Sequence, residues 1–267
     1  MDLTTLWHVV LLGIIEGLTE FLPVSSTGHL MLAGRLLGVD LEAPHMLVFN
    51  IVIQFGAILA VCWVYRQRLR DAAVGVFGKP EEQRFVLNVG LAVVPALALG
   101  ALFHDRIEAL LERPVVVAVT LILGGFAILA IERMAKAERF DRIETFPVWL
   151  SLAIGVMQCL AMVPGVSRSG ATIMGALLLG VSRRVAAEFT FFLAVPTMAA
   201  ASAYQLYKHH DALDLSQFGM IAIGFVVSYV CALVVVKGFV GFVSRFGFGA
   251  FAWYRIALGA LALFLLR

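Results

Sequence analysis

Charge is scarce in this sequence. Only 14% of its 267 residues are charged, 61% are hydrophobic, and the mean hydropathy is +0.96. A soluble globular domain carries about 25% charged and about 45–50% apolar residues, so that class is excluded and a polytopic membrane protein takes its place. The net charge of +2 is too small to suggest a nucleic-acid partner, and no basic face runs along an expected helix. Cysteine is scarce as well. Cys62, Cys159 and Cys231 are odd in number and far apart, which argues against a disulfide framework or a zinc site. They read as thiols packed like small hydrophobes. The opening Met1-Asp2-Leu3-Thr4-Thr5 lacks a basic segment, so no cleavable signal peptide is expected there.

What the chain does have is long apolar runs of two kinds. Crossing the hydrocarbon takes about 20 helical residues, whereas runs of about 10–14 suggest re-entrant or interfacial pieces. Full-length spans are expected at 46–65, 86–104, 114–131, 185–206, 218–236 and 247–266, and short segments at 6–19, 29–39, 147–161 and 170–181. Each pair of short segments is joined by a polar stretch containing Gly and Pro. Non-helical backbone at membrane depth survives only when buried in protein or lining a wet cavity. The expected architecture is all-α: six transmembrane helices plus two re-entrant helix pairs.

The first polar stretch runs from Glu16 to His29, the second from Gln158 to Thr172, and they match at an offset of 142 residues. Glu16 falls on Gln158, Ser25 on Ser167, Ser26 on Arg168, Thr27 on Ser169 and Gly28 on Gly170. Leu36-Leu37-Gly38-Val39 falls on Leu178-Leu179-Gly180-Val181, and Phe49 on Phe191, whereas Pro23 and Pro164 miss register by one. The match is lost in the last two spans of each half. Three spans per half is an odd number, so the second copy enters the membrane upside down. The chain is therefore expected to form one membrane domain, 1–267, with a first repeat at 1–131 and an inverted one at 144–267, and a site where the broken helices meet.

Orientation follows from the basic residues. One set of loops holds Arg66, Arg68, Arg70, Lys79, Arg84, Arg133, Lys136, Arg139, Arg142, Arg183, Arg184, Lys237 and Arg245; the other holds only Arg35, Arg106, Arg113, Lys208 and Arg267. The richer set is expected in the cytoplasm, with both termini outside.

Glu16 and Glu20 are four apart and share a helix face. Ionisable groups inside a membrane are read as functional by default. Two carboxylates on one face suit a hard divalent cation that also holds phosphate oxygens, or they split into an ionised base and a protonated acid. The hydroxyl-rich entries Ser25-Ser26-Thr27 and Ser167-Arg168-Ser169, with Thr172 one turn on, suit helix N-termini aimed at an anion. Arg168 adds a planar fork that binds two phosphate oxygens. Capping competes equally with substrate contact for Ser25, Thr27 and Ser167, and a bridge to Glu16 or Glu20 competes for Arg168. His29, three residues after Ser26, is in position to activate its hydroxyl or protonate a leaving group, a structural role being the alternative. Asn50 and Gln54 stand one turn apart and suit the same cavity. Glu188 and Arg255 lie within expected spans, where an ion pair or snorkelling accounts for them. His8, His45, His104, His209 and His210 sit at expected interfaces and receive no role.

Glu16-x-x-x-Glu20, Pro23-Val-Ser-Ser-Thr-Gly-His29 and Pro164-Gly-Val-Ser-Arg-Ser-Gly-Ala-Thr172, in this order, resemble the undecaprenyl-diphosphate phosphatase (bacitracin-resistance protein) family. The resemblance extends over essentially the whole chain, including a basic loop near 66–85 and Trp253-Tyr254-Arg255. It implies an integral enzyme of the bacterial inner membrane that removes the terminal phosphate from a C55 polyprenyl diphosphate. The monophosphate product is the carrier reused for cell-wall polymers. It also implies a divalent cation, Mg²⁺ or Ca²⁺, and a site open to the periplasmic side. By position, Glu16, Glu20, Ser26 and Arg168 match the family's essential residues, with His29 contributing. The expected mechanism has Glu16 and Glu20 hold the metal and Ser26 attack phosphorus while His29 shuttles the proton; attack by metal-activated water is the competing version. Arg168, Ser25, Thr27, Ser167, Ser169 and Thr172 are the candidate phosphate contacts. The expected partners are the polyprenyl diphosphate and the bilayer, with a homodimer left open. A transporter or flippase of an anionic lipid or solute is the rival, since such proteins also use inverted repeats with broken helices. The carboxylates beside Ser26 and His29 speak against it.

Overall fold

Proline and apolar sequence set the helix starts in this chain. The computed structural model describes residues 2–103, 113–135, 138–208 and 217–266. His104, His209, His210, Arg106, Lys136 and Arg267 lie outside them. Among the described residues there are eleven α-helices, and β structure is confined to a bridge between Phe140 and Val181. They are α1 (Leu3–Thr19), α2 (Ser26–Leu37), α3 (Pro44–Val64), α4 (Arg66–Gly75), α5 (Pro80–Leu102), α6 (Pro114–Met134), α7 (Val148–Gln158), α8 (Arg168–Leu178), α9 (Arg183–Lys208), α10 (Phe218–Phe246) and α11 (Gly249–Leu265). Proline opens α3, α5 and α6, where its missing N–H has no partner to lose. Asp2 caps α1 by accepting the Thr5 N–H at 2.7 Å, and Gly38 ends α2 in the left-handed conformation (φ 66°).

Five helices, α3, α5, α6, α9 and α10, are long and apolar enough to cross a membrane. They coincide with five of the six expected spans. The sixth, expected at 247–266, is α11 with 17 residues. At 1.5 Å per residue it is about 25 Å long, short of the roughly 30 Å of hydrocarbon. The four short segments are α1, α2, α7 and α8, and α7 runs on into a 3₁₀ turn over Cys159–Met162.

The basic stretch after α3, expected as a loop, is the helix α4. Its Arg68 bonds Glu82 at the start of α5 and Glu144, the latter at 2.7 Å, and lies over the Phe85 ring. These are contacts across the fold, which no local pattern displays.

Two of the short helices, α1 and α7, are held by long helices from the other part of the chain. Helix α1 packs on α10, and α7 packs on α5. Both contacts turn on a glycine. A Cβ on Gly13 would lie 2.8 Å from the Gly224 carbonyl oxygen, and one on Gly155 would lie 2.5 Å from that of Ala92. Only glycine permits backbones this close. Helix α3 also packs on α9 and α10, and α6 on α11. The core they enclose is rich in phenylalanine: Phe21, directly after Glu20, meets Phe191 of α9 edge-on at 5.5 Å. Glu188 pairs with Arg184 at 3.9 Å, the ion pair expected for it.

Candidate active site

The turns after α1 and α7 bring the two polar stretches together. Ser25 and Ser167 are the residues just before α2 and α8, and both have left-handed backbones, φ 68° and φ 75°. For a non-glycine residue this conformation costs about 1–3 kcal/mol and persists only where the surroundings enforce it. Each serine hydroxyl accepts a hydrogen bond from the N–H three residues on, Gly28 at 3.4 Å and Gly170 at 3.2 Å. Ser169 donates to the Leu22 carbonyl at 2.7 Å, and the Ser167 hydroxyl lies 3.0 Å from that of Ser169, so one turn is tied to the other. Thr172 donates to the Arg168 carbonyl of its own helix at 2.8 Å. The hydroxyls of Ser167, Ser169 and Thr172 are thus engaged within the protein, while Thr27 stands exposed.

Where the turns meet, three side chains form a chain of contacts. Ser26 donates its hydroxyl hydrogen to Glu20 Oε2. The other carboxylate oxygen, Oε1, accepts from Arg168 Nη2 at 3.1 Å. Of the two bridges weighed for Arg168, Glu20 is the partner. The guanidinium is further fixed by the Thr190 carbonyl at 3.0 Å and by the Phe21 ring, whose face lies 5.6 Å from its carbon. A half-buried Ser hydroxyl beside a buried carboxylate, with a cation behind it, is an arrangement suited to nucleophile activation.

His29 is placed differently from the expectation that it reaches Ser26. Its Nδ1 lies 2.7 Å from the Ser25 carbonyl and its Nε2 2.7 Å from the Tyr254 hydroxyl. A carbonyl only accepts, so Nδ1 carries the hydrogen and Nε2 accepts from Tyr254. Arg255, the next residue, makes neither an ion pair among the described residues nor a snorkelling contact. It is 1% exposed and donates to five carbonyl oxygens, those of Pro23, Gly165, Val166, Thr120 and Leu121. Two of these precede Ser167 and one precedes Ser25, so a single side chain from α11 pins both turns. Sequence reasoning missed this role and that of Tyr254. The available signal was an arginine with no acidic partner inside an apolar run.

A cavity of about 480 Å³ opens beside this cluster, lined by Glu16, Ser26, Thr27, Asn50 and Gln54 among others. Glu16 is 2% exposed, and its Oε1 has no hydrogen-bond partner among the described residues; neither has Asn50 Oδ1. Two uncommitted hard oxygen donors on one cavity fit a divalent cation that takes its remaining ligands from phosphate and water. Among the described residues no cluster of three or more His, Cys, Asp or Glu completes a cation shell without them. Both Glu20 oxygens already have protein partners, which leaves Glu16 the more available carboxylate.

An all-helical, multi-pass membrane protein whose two polar turns meet in a carboxylate–hydroxyl–guanidinium cluster is the class that the fold and site define. Residues 9–261 match the model of the bacitracin resistance protein BacA, and the chain belongs to that family. Relatives include the undecaprenyl-diphosphatase 2 of Paramagnetospirillum magneticum, 55% identical over 95% of this chain and 96% of that protein. The undecaprenyl-diphosphatases of Sphingopyxis alaskensis and Cereibacter sphaeroides are 54% and 50% identical, each over 98% of this chain and 97% of the other.

Proposed function

We propose that this protein is an integral membrane phosphatase that hydrolyses undecaprenyl diphosphate to undecaprenyl phosphate and inorganic phosphate. In that role it returns the lipid carrier to cell-wall polymer synthesis and confers resistance to bacitracin. The observation that carries the reading is the Glu20 carboxylate, joined to the Ser26 hydroxyl on one oxygen and to Arg168 on the other. The names of relatives at 50–55% identity over nearly the full length supply the substrate.

In this mechanism Ser26 Oγ attacks the terminal phosphorus and its proton passes to Glu20, the group it already touches. The bond from that phosphorus to the bridging oxygen breaks, and the electron pair leaves with the prenyl monophosphate. Water then cleaves the phosphoserine and Glu20 returns the proton. Arg168 and the N-termini of α2 and α8 carry preorganised positive charge toward the phosphates, the kind of stabilisation that dominates phosphoryl transfer. Glu16 and Asn50 would hold a divalent cation, Mg²⁺ or Ca²⁺, which when bound neutralises phosphate charge. His29, bonded to Ser25 and Tyr254, acts by holding the first turn of α2 in place. A transporter would have no use for the hydroxyl–carboxylate contact.

The same reading includes the frame. The two short-helix pairs are re-entrant, residues 1–131 and 144–267 form an inverted-topology repeat, and α11 is the sixth span, local thinning of the bilayer meeting its shortness. The paired geometry of Ser25 with Ser167 and of Gly13 with Gly155 supports the repeat. The cavity is lined by the start of α3, the start of α6 and the end of α9, opposite the ends that carry the basic segments. With the basic segments in the cytoplasm, the site opens to the periplasmic side of the inner membrane and both termini lie outside.

The test is phosphate release from undecaprenyl diphosphate by the purified protein, with Mg²⁺ or Ca²⁺ and again with a chelator. Release that the chelator stops is expected; no release from folded protein with either metal refutes the reading.

A further inference from the structure

A second cavity, about 620 Å³, lies between α5 and α9 and opens at the same helix ends as the first, with Gln205 lining both. Its walls are mostly apolar, built from residues such as Leu97, Gly100, Ala101 and Ala200; the polar members are Gln158, Arg168 and Thr197, with Tyr204 and Gln205 further along α9. Gln158 and Arg168 are the residues 142 positions after Glu16 and Ser26. The first cavity therefore carries a carboxylate and a hydroxyl, and the second carries an amide and a guanidinium at the matching positions.

The polar atoms there are uncommitted. Gln158 is 2% exposed, and neither its Nε2 nor its Oε1 has a hydrogen-bond partner among the described residues; the same holds for Arg168 Nε and Thr197 Oγ1. Buried polar groups are nearly always bonded, so this concentration of orphans in one wall calls for a ligand. An amide N–H, a guanidinium N–H and a hydroxyl at one end of an apolar cavity match an anionic group carried on an apolar chain.

We propose that this cavity is the leaving-group half of the site. Gln158, Thr197 and the Nε–H of Arg168 donate to the phosphate that stays on the prenyl chain. The first stretch of that chain lies along α5 and α9 and passes into lipid where Leu97 and Tyr204 are about half exposed, at 45% and 53%. The assignment rests on the phosphatase reading and gives the substrate its direction. The terminal phosphate sits on the Glu16–Ser26 side, the prenyl phosphate on the Gln158–Thr197 side, and Arg168 stands between them. When the anhydride bond breaks, its electron pair falls on the oxygen nearest those donors. A cavity of this size takes only a ligand of drug-like dimensions, so most of a C55 chain stays in the bilayer.

The experiment is titration calorimetry of farnesyl monophosphate, and separately of farnesol, into the purified full-length protein and into Gln158→Leu, Thr197→Val and Ala200→Phe. The two polar variants are expected to weaken the monophosphate about tenfold each, the effect of one lost hydrogen bond to a charged group, and to leave farnesol within about twofold. Ala200→Phe fills the apolar wall and is expected to weaken both ligands. Unchanged monophosphate affinity in folded variants, or equal loss for phosphate and alcohol in the polar ones, overturns the assignment, as does a wild-type protein that binds no monophosphate. If Gln158→Leu fails to fold, Thr197→Val decides. A wild type that binds farnesyl monophosphate yet releases no phosphate from undecaprenyl diphosphate removes the phosphatase reading and, with it, the leaving-group role. An active wild type whose variants bind normally removes only this pocket.

Discussion

The Ser26 hydroxyl donates its hydrogen bond to Glu20, six residues earlier in the chain, and not to His29 on its own helix. The carboxylate that receives this proton is also the partner of Arg168, so one side chain links nucleophile and cation. Glu20→Gln is expected to lower phosphate release by at least about a hundredfold, the range of general-base catalysis. It should also lower the melting temperature, because breaking a buried ion pair costs about 3–5 kcal/mol. Ser26→Ala should lose activity with little change in melting. Activity assays paired with thermal unfolding separate the two patterns.

Tyr254→Phe tests the placement of His29. The variant keeps the ring but removes the hydroxyl that donates to His29 Nε2 at 2.7 Å. One neutral hydrogen bond is worth about 0.5–1.5 kcal/mol, so kcat is expected to fall by about tenfold at most, with normal folding. An unchanged kcat would mean that the bond does not position the site.

Arg255→Lys is expected to abolish most activity although the charge is kept. Five carbonyl oxygens on three segments are met by one planar fork, and an ammonium on a flexible stem cannot reach them together. Both turns lose their common anchor, so release should fall by about a hundredfold or more and the melting temperature should drop; a variant with wild-type rates would refute the pinning role.

Gly155→Ala and Gly90→Ala should move stability in opposite directions. The first places a methyl 2.5 Å from the Ala92 carbonyl and is expected to cost about 1–3 kcal/mol through overpacking. The second meets nothing within 4 Å among the described residues and is expected to stabilise α5 by up to about 1 kcal/mol. Thermal unfolding of the purified variants measures both.

Glu16, Glu20 and Arg168 could be picked out of the sequence because ionisable residues stand out against an apolar background. Five of the spans were legible from length and hydropathy. The bridge from Arg168 to a carboxylate was legible too, but the partners of His29 and Arg68 were not. Tyr254 reaches His29 from 225 positions away, and the contacts that make α4 a docked helix join Arg68 to Glu144 across the fold. The lost register between the halves also has a structural cause. Gly13 and Gly155 are 142 apart, but the residues they touch, Ala92 and Gly224, are 132 apart. A fixed offset follows α1 and α7 and misses the long helices that hold them.

The most direct measurement compares phosphate release from undecaprenyl diphosphate by the wild-type protein and by Ser26→Ala, purified and assayed side by side with the same metal. Release by the wild type and a loss of at least about a thousandfold in the variant are expected of a nucleophile. Release from a folded Ser26→Ala protein at close to the wild-type rate would contradict attack by Ser26.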